Sequence, residues 1–260
     1  SRNQDKYYVR GTFTHHNLDF SNDVLHLADL GFKQISVEPV VAAETEEYAI
    51  REEDIQISRN IGTYGFELLE KLGKGVGIMT HCNAGTLATA KYGTALAPMY
   101  IALEHGWDPK KDLHVYCDET RPLLQGARLS AYEMQAAGID TYVQCDNMAS
   151  YTMKGGKVGI IFVGCDRVAA NGDFANKIGT SGVAIIAKHY GVPFYVCAPS
   201  STIDMTLESG DEIHIEQRKA EEVTEMWYKE RMAPEGVGVV NPAFDVTDHS
   251  LVTGIITEKG

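Results

Sequence analysis

Two residues of this chain stand where apolar runs give way to polar loops, and both carry groups that move protons. Cys82 lies in Thr80-His81-Cys82-Asn83-Ala84-Gly85. A thiol between a strand and the start of a helix is biased toward thiolate, because the helix dipole and free N–H groups favour negative charge. The competing reading is an ordinary packed cysteine, a residue type that is often buried. Asp166 lies in Gly164-Cys165-Asp166-Arg167. Partial desolvation there would raise its pKa toward a range useful to a general acid. Against this stands simple pairing with Arg167. Asp118 holds the matching place on another run and has Arg121 as a candidate partner. Cys165 reads as a small packing residue beside Asp166.

Two further segments have the composition of anion sites. Asn176-Lys177 follows the turn signal Asn171-Gly172-Asp173 and reads as the first turns of a helix. A lysine among free N–H groups can hold phosphate there. Gln125-Gly126-Ala127-Arg128 reads as a second strand-to-helix site. For both, the plainer alternative is a solvated surface. His15-His16 has no cysteine or carboxylate partner at ligand spacing, so it reads as surface and no metal site is expected.

Positioning these residues falls to an alternation of short and long segments. Apolar runs at 76–80, 113–117, 141–145, 158–163 and 193–197 are rich in β-branched residues and bounded by Gly, Asp or Pro. Strands buried on both faces of a parallel sheet have this composition. Between them, 86–104, 126–137 and 175–190 repeat apolar residues at helical spacing and end near Gly106, Gly138 and Gly191. The pattern predicts an α/β fold, a doubly wound, mostly parallel Rossmann-like sheet. Ligands of such sheets sit beyond the carboxyl ends of the strands. All five strand ends are therefore expected to face one crevice. Residues 1–55 read as a separate N-terminal α/β segment, with an acidic, solvated stretch at 44–53, and 56–260 as the main domain. One βα-like unit cannot form its own core, so that segment is expected to dock on the main domain.

Composition narrows the functional classes. The net charge of -13 argues against a general nucleic-acid role but leaves room for a local phosphate site. No apolar run approaches a membrane span. The five cysteines include no Cys-x-x-Cys pair, which argues against a zinc ribbon or thioredoxin motif. Their odd number, with no secretory leader in sight, leads to the expectation of a reducing cytoplasm.

Taken together, 80–85, 118–128, 146–149, 164–173 and 176–180 resemble the methylthioribose-1-phosphate isomerase family, as do 233–247 and 253–260. The likeness runs from about residue 52 to the end of the chain. The wider superfamily includes ribose-1,5-bisphosphate isomerases and the regulatory subunits of translation initiation factor 2B. Those subunits usually lack the cysteine–aspartate pair, and holding both Cys82 and Asp166 favours the enzyme. The resemblance implies that Cys82 and Asp166 are catalytic and that Gln125, Asn176 and Lys177 hold the substrate, a sugar phosphate. It also implies no cofactor, no metal and a homodimer formed mainly by the α/β domain. The family's N-terminal Arg-Gly-Ala-Pro and Thr-Arg-Pro-Thr motifs, which help bind phosphate, have no counterpart here. Residues 1–51 instead resemble part of a radical SAM peptide maturase of the thioether-forming kind, though without its cluster cysteines. A chimera is one reading of that junction, and a weakened or inactive isomerase is the expected consequence. The alternatives are a non-catalytic sugar-phosphate or nucleotide-binding or assembly module of the superfamily, and an isomerase of another pentose 1-phosphate.

Overall fold

The computed structural model describes residues 52–260, together with the backbone of two short strands, β1 (Val9–Phe13) and β2 (Ile35–Pro39), which pair in parallel. The docking of the N-terminal segment and His15-His16 lie outside the described residues. From residue 52 onward the chain alternates as the periodicity predicts. Helix α1 (Glu52–Leu72) leads into β3 (Gly77–Thr80). Next come α2 (Ala97–Glu104), β4 (His114–Asp118), a π-helical turn over Gly126–Ser130, α3 (Ala131–Ala136) and β5 (Asp140–Gln144). They are followed by α4 (Ala149–Lys154), β6 (Ile160–Val163), β7 (Arg167–Ala169), β8 (Phe174–Lys177), α5 (Thr180–Tyr190) and β9 (Phe194–Cys197). The described chain closes with β10 (Ile203–Asp204), α6 (Glu221–Thr224), β11 (Phe244–Thr247) and β12 (Gly254–Ile256).

Six of these strands form one parallel sheet in the order β12-β9-β6-β3-β4-β5. The alternation of side chains along a strand supplies both of its cores. Ile78, Ile160 and Phe162 join the cluster under α1, α2 and α3, while their neighbours Met79, Ile161 and Val163 join the cluster under α4 and α5. Every residue of β3 and β6 is buried, which is why these runs carry no polar alternation. The α/β architecture and mostly parallel sheet are those the sequence predicts. The sixth strand, β12, is an addition to the five apolar runs.

The structure corrects three local expectations. First, 175–190 is not one helix. A second sheet in the order β10-β7-β8-β11 holds Phe174–Lys177, all four residues buried, and the helix begins only at Thr180. The turn at Asn171-Gly172-Asp173 therefore closes a β-hairpin, with Asn171 Oδ1 accepting from the Asp173 N–H at 3.0 Å. Second, within 86–104 only Ala97–Glu104 is α-helical. Tyr92 and Gly93 lie in the left-handed region at φ 78° and 75°, which a right-handed helix cannot include. Third, the segment boundary expected at residue 55 falls inside a helix: Glu52 and Glu53, the exposed end of the acidic stretch, open a 21-residue helix that packs its Ser58, Ile61, Gly65, Phe66 and Leu69 side inward.

Candidate active site

Cys82 ends the turn that leaves β3, at φ 65°. A non-glycine residue in that region is strained and needs support from its surroundings. The support is explicit. The Cys82 N–H donates to Thr120 Oγ1 at 2.8 Å, and its carbonyl accepts from Ser130 Oγ at 2.6 Å. Both hydroxyl residues are fully buried. Thr120 is itself anchored, because the N–H groups of Thr120 and Arg121 each donate to the Asp146 carboxylate at 2.7 Å. Beneath this loop, any Cβ on Gly126 would lie 1.7 Å from the Asp118 carbonyl oxygen, so only glycine lets the β4 loop pass so close.

The segment after Cys82 is tied by one buried carboxylate. Glu133 accepts from Asn83 Nδ2 at 2.9 Å, from the N–H and hydroxyl of Thr86 at 2.7 and 2.6 Å, and from the Leu87 N–H at 3.2 Å. Those N–H groups are thereby turned toward Glu133. No helix starts directly behind Cys82, and the dipole expected to favour its thiolate is missing. Burial instead pushes the Cys82 thiol up to about 11, with Lys177 working against the rise and Asp166 adding to it. At neutral pH the group is a thiol.

Asp166 arrives from the other side. It follows β6 and opens the β7–β8 hairpin, where its N–H donates to the Ala175 carbonyl at 2.9 Å. This pairing places Asp166 beside Asn176 and Lys177 at the far end of the hairpin. Asp166 is exposed rather than desolvated, since it sits on the hairpin's open end and not beneath a helix. Arg167 turns away and donates to Asp204 at 2.7 Å.

Cys82, Gln125, Asp166, Asn176 and Lys177 all line one cavity of about 650 Å³. Its character is mixed, with Cys165, Cys197 and Phe244 among the apolar contributors and Asp54 and Ser58 of α1 among the polar ones. Gln125 is 3% exposed, and neither its amide nitrogen nor its amide oxygen has a hydrogen-bond partner among the described residues. A buried polar pair in that condition is costly unless a ligand satisfies it. Lys177 is 7% exposed with its ammonium 4.1 Å from the Phe244 ring centroid, and no described carboxylate forms a salt bridge with it. Asn176 donates to Thr180 Oγ1 at 3.0 Å.

Other expectations need revision. The residues after β5 do not reach the cavity, because Asp146 is spent on the Thr120-Arg121 backbone. Asp118 does not pair with Arg121. It meets His81 Nδ1 at 3.2 Å and accepts from Gln144 Nε2 at 2.7 Å, while Arg121 donates to the Val223 carbonyl at 2.7 Å. Arg128 lies over the Trp227 ring, 4.6 Å from its centroid. His81, Asp118 and Asp146 bring potential metal-ligand atoms within 4.8 Å of one another. Both His81 nitrogens and both carboxylates already hold protein partners, so the cluster reads as a hydrogen-bond network. Asp54, Ser58, Thr120 and Glu133 were not singled out from sequence. For α1 the signal was present in the helical spacing of its buried side. For Thr120 and Glu133 nothing local marks the contact.

Comparison with known proteins places the chain in a family. A methylthioribose-1-phosphate isomerase of Symbiobacterium thermophilum is 64% identical over 219 residues, covering 84% of this chain and 59% of that protein. A 5-deoxyribose 1-phosphate isomerase of Bacillus cereus is 57% identical over 211 residues, covering 81% of this chain and 58% of that protein. Among solved structures, 5-methylthioribose 1-phosphate isomerase of Pyrococcus horikoshii matches with a TM-score of 0.73 at 46% identity, over 80% of this chain and 56% of that one. The chain thus spans about three fifths of the length of the curated relatives it matches. The family match opens at residue 28, ahead of the boundary near residue 52 drawn from sequence. Matched by its model over residues 28–260, the chain belongs to the Initiation factor 2 subunit family.

Proposed function

We propose that this chain catalyses the aldose–ketose isomerisation of a pentose phosphorylated on its anomeric oxygen, converting methylthioribose 1-phosphate to methylthioribulose 1-phosphate. The observation that carries the reading is a single cavity holding the Cys82 thiol, the Asp166 carboxyl and the buried Lys177 ammonium. An anomeric phosphate keeps the sugar ring closed, so the free-aldehyde route of ordinary aldoses is barred. In the proposed reaction Asp166 gives a proton to the ring oxygen and the C1–ring oxygen bond breaks. The hydrogen on C2 ends on C1, and the C2 hydroxyl loses its proton to become the ketone. The ring oxygen gains one proton and the hydroxyl loses one, so the protein ends with as many as it began and no redox cofactor is called for. Cys82 is the second proton-handling group, and the positive charge of Lys177 offsets a thiolate whenever it forms. Gln125, Asn176 and Lys177 hold the substrate's hydroxyl and phosphate oxygens.

A second reading, 5-deoxyribose 1-phosphate as substrate, rests on relatives that bear that name. The apolar contributions of Ile57, Ala90 and Phe244 suit either a methylthio or a methyl group. We further propose a cytoplasmic homodimer; among the described residues no helix is long and apolar enough to cross a membrane. In support of the dimer, the edge strand β5 exposes Tyr142 and Val143, and the neighbouring helices expose Tyr132 and Tyr151. Conversion of both 1-phosphates, followed by NMR, tests the function for this chain beside a relative of full family length. Turnover that disappears in Cys82→Ser and Asp166→Asn is expected. Tight substrate binding without turnover in either protein would favour a binding module and sink the isomerase reading.

A further inference from the structure

His81 precedes Cys82, yet its side chain points away from the cavity and is completely buried against an equally buried Asp118. Its two ring nitrogens meet two acceptors. Nε2 lies 2.9 Å from the Ile178 carbonyl oxygen, and Nδ1 lies 3.2 Å from Asp118 Oδ2. A carbonyl only accepts, so Nε2 donates. The Nδ1–carboxylate contact then needs a second proton, carried by an imidazolium or by the carboxyl itself. In both forms the pair holds one proton more than a neutral imidazole and a carboxylate. Burial lowers the His81 pKa, but the hydrogen bond and charge of Asp118 outweigh it and the net direction is upward. Burial raises Asp118 as well, against the pull of His81 and Gln144. Both directions keep the proton, and Asp146 also faces the ring with its charge.

The Ile178 end of this bridge matters for the cavity. Ile178 follows Lys177 and precedes Gly179, which lies at φ 103°. A Cβ on Gly179 would fall 2.8 Å from His81 Cε1, so the imidazole is packed flush against that backbone. The ring therefore spans from the residue beside Cys82 to the residue beside Lys177. We propose that His81 is a positioning residue that, by holding Asp118 with one nitrogen and the Ile178 carbonyl with the other, fixes the Lys177 ammonium against the Cys82 thiol. The inference rests on reading Cys82 and Lys177 as site residues. It does not need the chain to turn over substrate.

The test is the pH profile of Cys82 alkylation by iodoacetamide, read by peptide mass spectrometry. His81→Asn puts an amide nitrogen near the Nδ1 position but falls short of the Ile178 carbonyl. His81→Gln reaches the Nε2 position and keeps that bond. Losing the hold on Lys177 removes charge that favours the thiolate. His81→Asn should therefore slow alkylation at pH 9 by about three- to tenfold, the latter corresponding to one pKa unit. His81→Gln should stay near the original protein. Because His81 acts through Lys177, adding His81→Asn to Lys177→Met should shift the profile no further than Lys177→Met does alone. Equal shifts in the two His81 variants, an undiminished shift in the Lys177→Met background, or no shift in Lys177→Met itself would each overturn the proposal. So would alkylation of the buried Cys117 and Cys197 rising together with the change at Cys82, since that reports a loosened core. A variant that does not fold leaves the decision to Lys177→Met and to NMR of the unaltered protein, where the shared His81–Asp118 proton should appear as a far-downfield signal persisting through neutral pH. A neutral His81 with no such signal would also overturn the proposal.

Discussion

Cys82 hangs from a loop tied at both of its peptide groups, whereas Asp166 hangs from the open end of a two-stranded ribbon. The cysteine side of the cavity is built from buried oxygen atoms. Thr120, Ser130 and Glu133 each accept or donate at fixed distances and hold a backbone that would not choose φ 65° unaided. On the aspartate side, Asp166 and Arg167 are exposed, and their surroundings include an exposed ion pair and the backbone pairing of the β7–β8 ribbon. Precision on the first side comes from polar groups that lose water and cannot trade partners. On the second, strand pairing holds the backbone, and the Arg167–Asp204 pair lies open to water. The same cavity thus joins a rigid thiol to a solvated carboxyl, which suits a proton that must be exchanged with solvent on one side only.

The chemistry gives the largest expected effect and treats the two sides alike. Asp166→Asn and Cys82→Ser should each lower the isomerase kcat by about 10²–10⁴-fold, the usual range for a lost general acid or base. Circular dichroism and the unfolding midpoint should stay close to those of the original protein. A small effect on kcat from either substitution would remove that residue from the proposed pair.

Stability should separate the two sides. In Glu133→Gln an amide N–H₂ replaces one of the oxygens that face the Asn83, Thr86 and Leu87 donors. A hydrogen bond to a charged group is worth roughly 1.5–3 kcal/mol, so urea unfolding should show a loss of about that size. The cavity loop should loosen with it, and alkylation of Cys82 should change. Unfolding that is unaltered within error would mean that the loop is held by something other than Glu133.

The difference between the sides also accounts for what was legible in the sequence. Strands β3 and β6 were readable because burial on both faces leaves an unbroken apolar run, β4 and β9 because they are mostly buried, and the edge strand β5 from its β-branched and aromatic residues although it exposes Tyr142 and Val143. Cys82, Gln125, Asp166, Asn176 and Lys177 were readable because they stand at or just past such runs or in motifs that resemble a family, and the structure gathers all five around one cavity. The β7–β8 ribbon was not. Its Phe174-Ala175-Asn176-Lys177 lacks strand-type alternation and runs straight into a true helix, so apolar spacing alone merged the two. The role of Glu133 was equally hidden, because its partners lie 33 to 50 positions away in sequence. The thiol's direction of titration was misjudged for a related reason. It depended on whether a helix starts at residue 83, and that was decided by a carboxylate from another element.

Titration of Cys82 gives a finer measure of the rigid side. A thiol at about 11 is almost wholly protonated at pH 8, so alkylation by iodoacetamide should rise close to tenfold for each pH unit between about 8 and 10. A thiolate prepared by a helix terminus would instead react at a rate that is flat over that range. A plateau beginning below pH 8 would show that burial is not the controlling influence and would restore the expectation drawn from sequence.

The smallest effect is expected on the open side, and it is the sharpest test of the contrast. Arg167→Ala removes the 2.7 Å pair with Asp204, geometrically as good as any contact around Cys82. If short distance alone conferred rigidity, this loss should weaken the hairpin and disturb Asp166. Solvent argues the other way. The Arg167 side chain is 53% exposed, water and salt screen the pair, and the freed ends recover hydration at once. Asp204 also keeps its bonds to the Thr206 N–H and hydroxyl, so its carboxylate is not left without partners. The unfolding midpoint should therefore stay within experimental scatter, and kcat should change less than in any substitution that touches the cavity. A loss comparable to that of Glu133→Gln would show that the ribbon is held by its ion pair rather than by strand pairing, and the distinction between a rigid and a solvated side would fail.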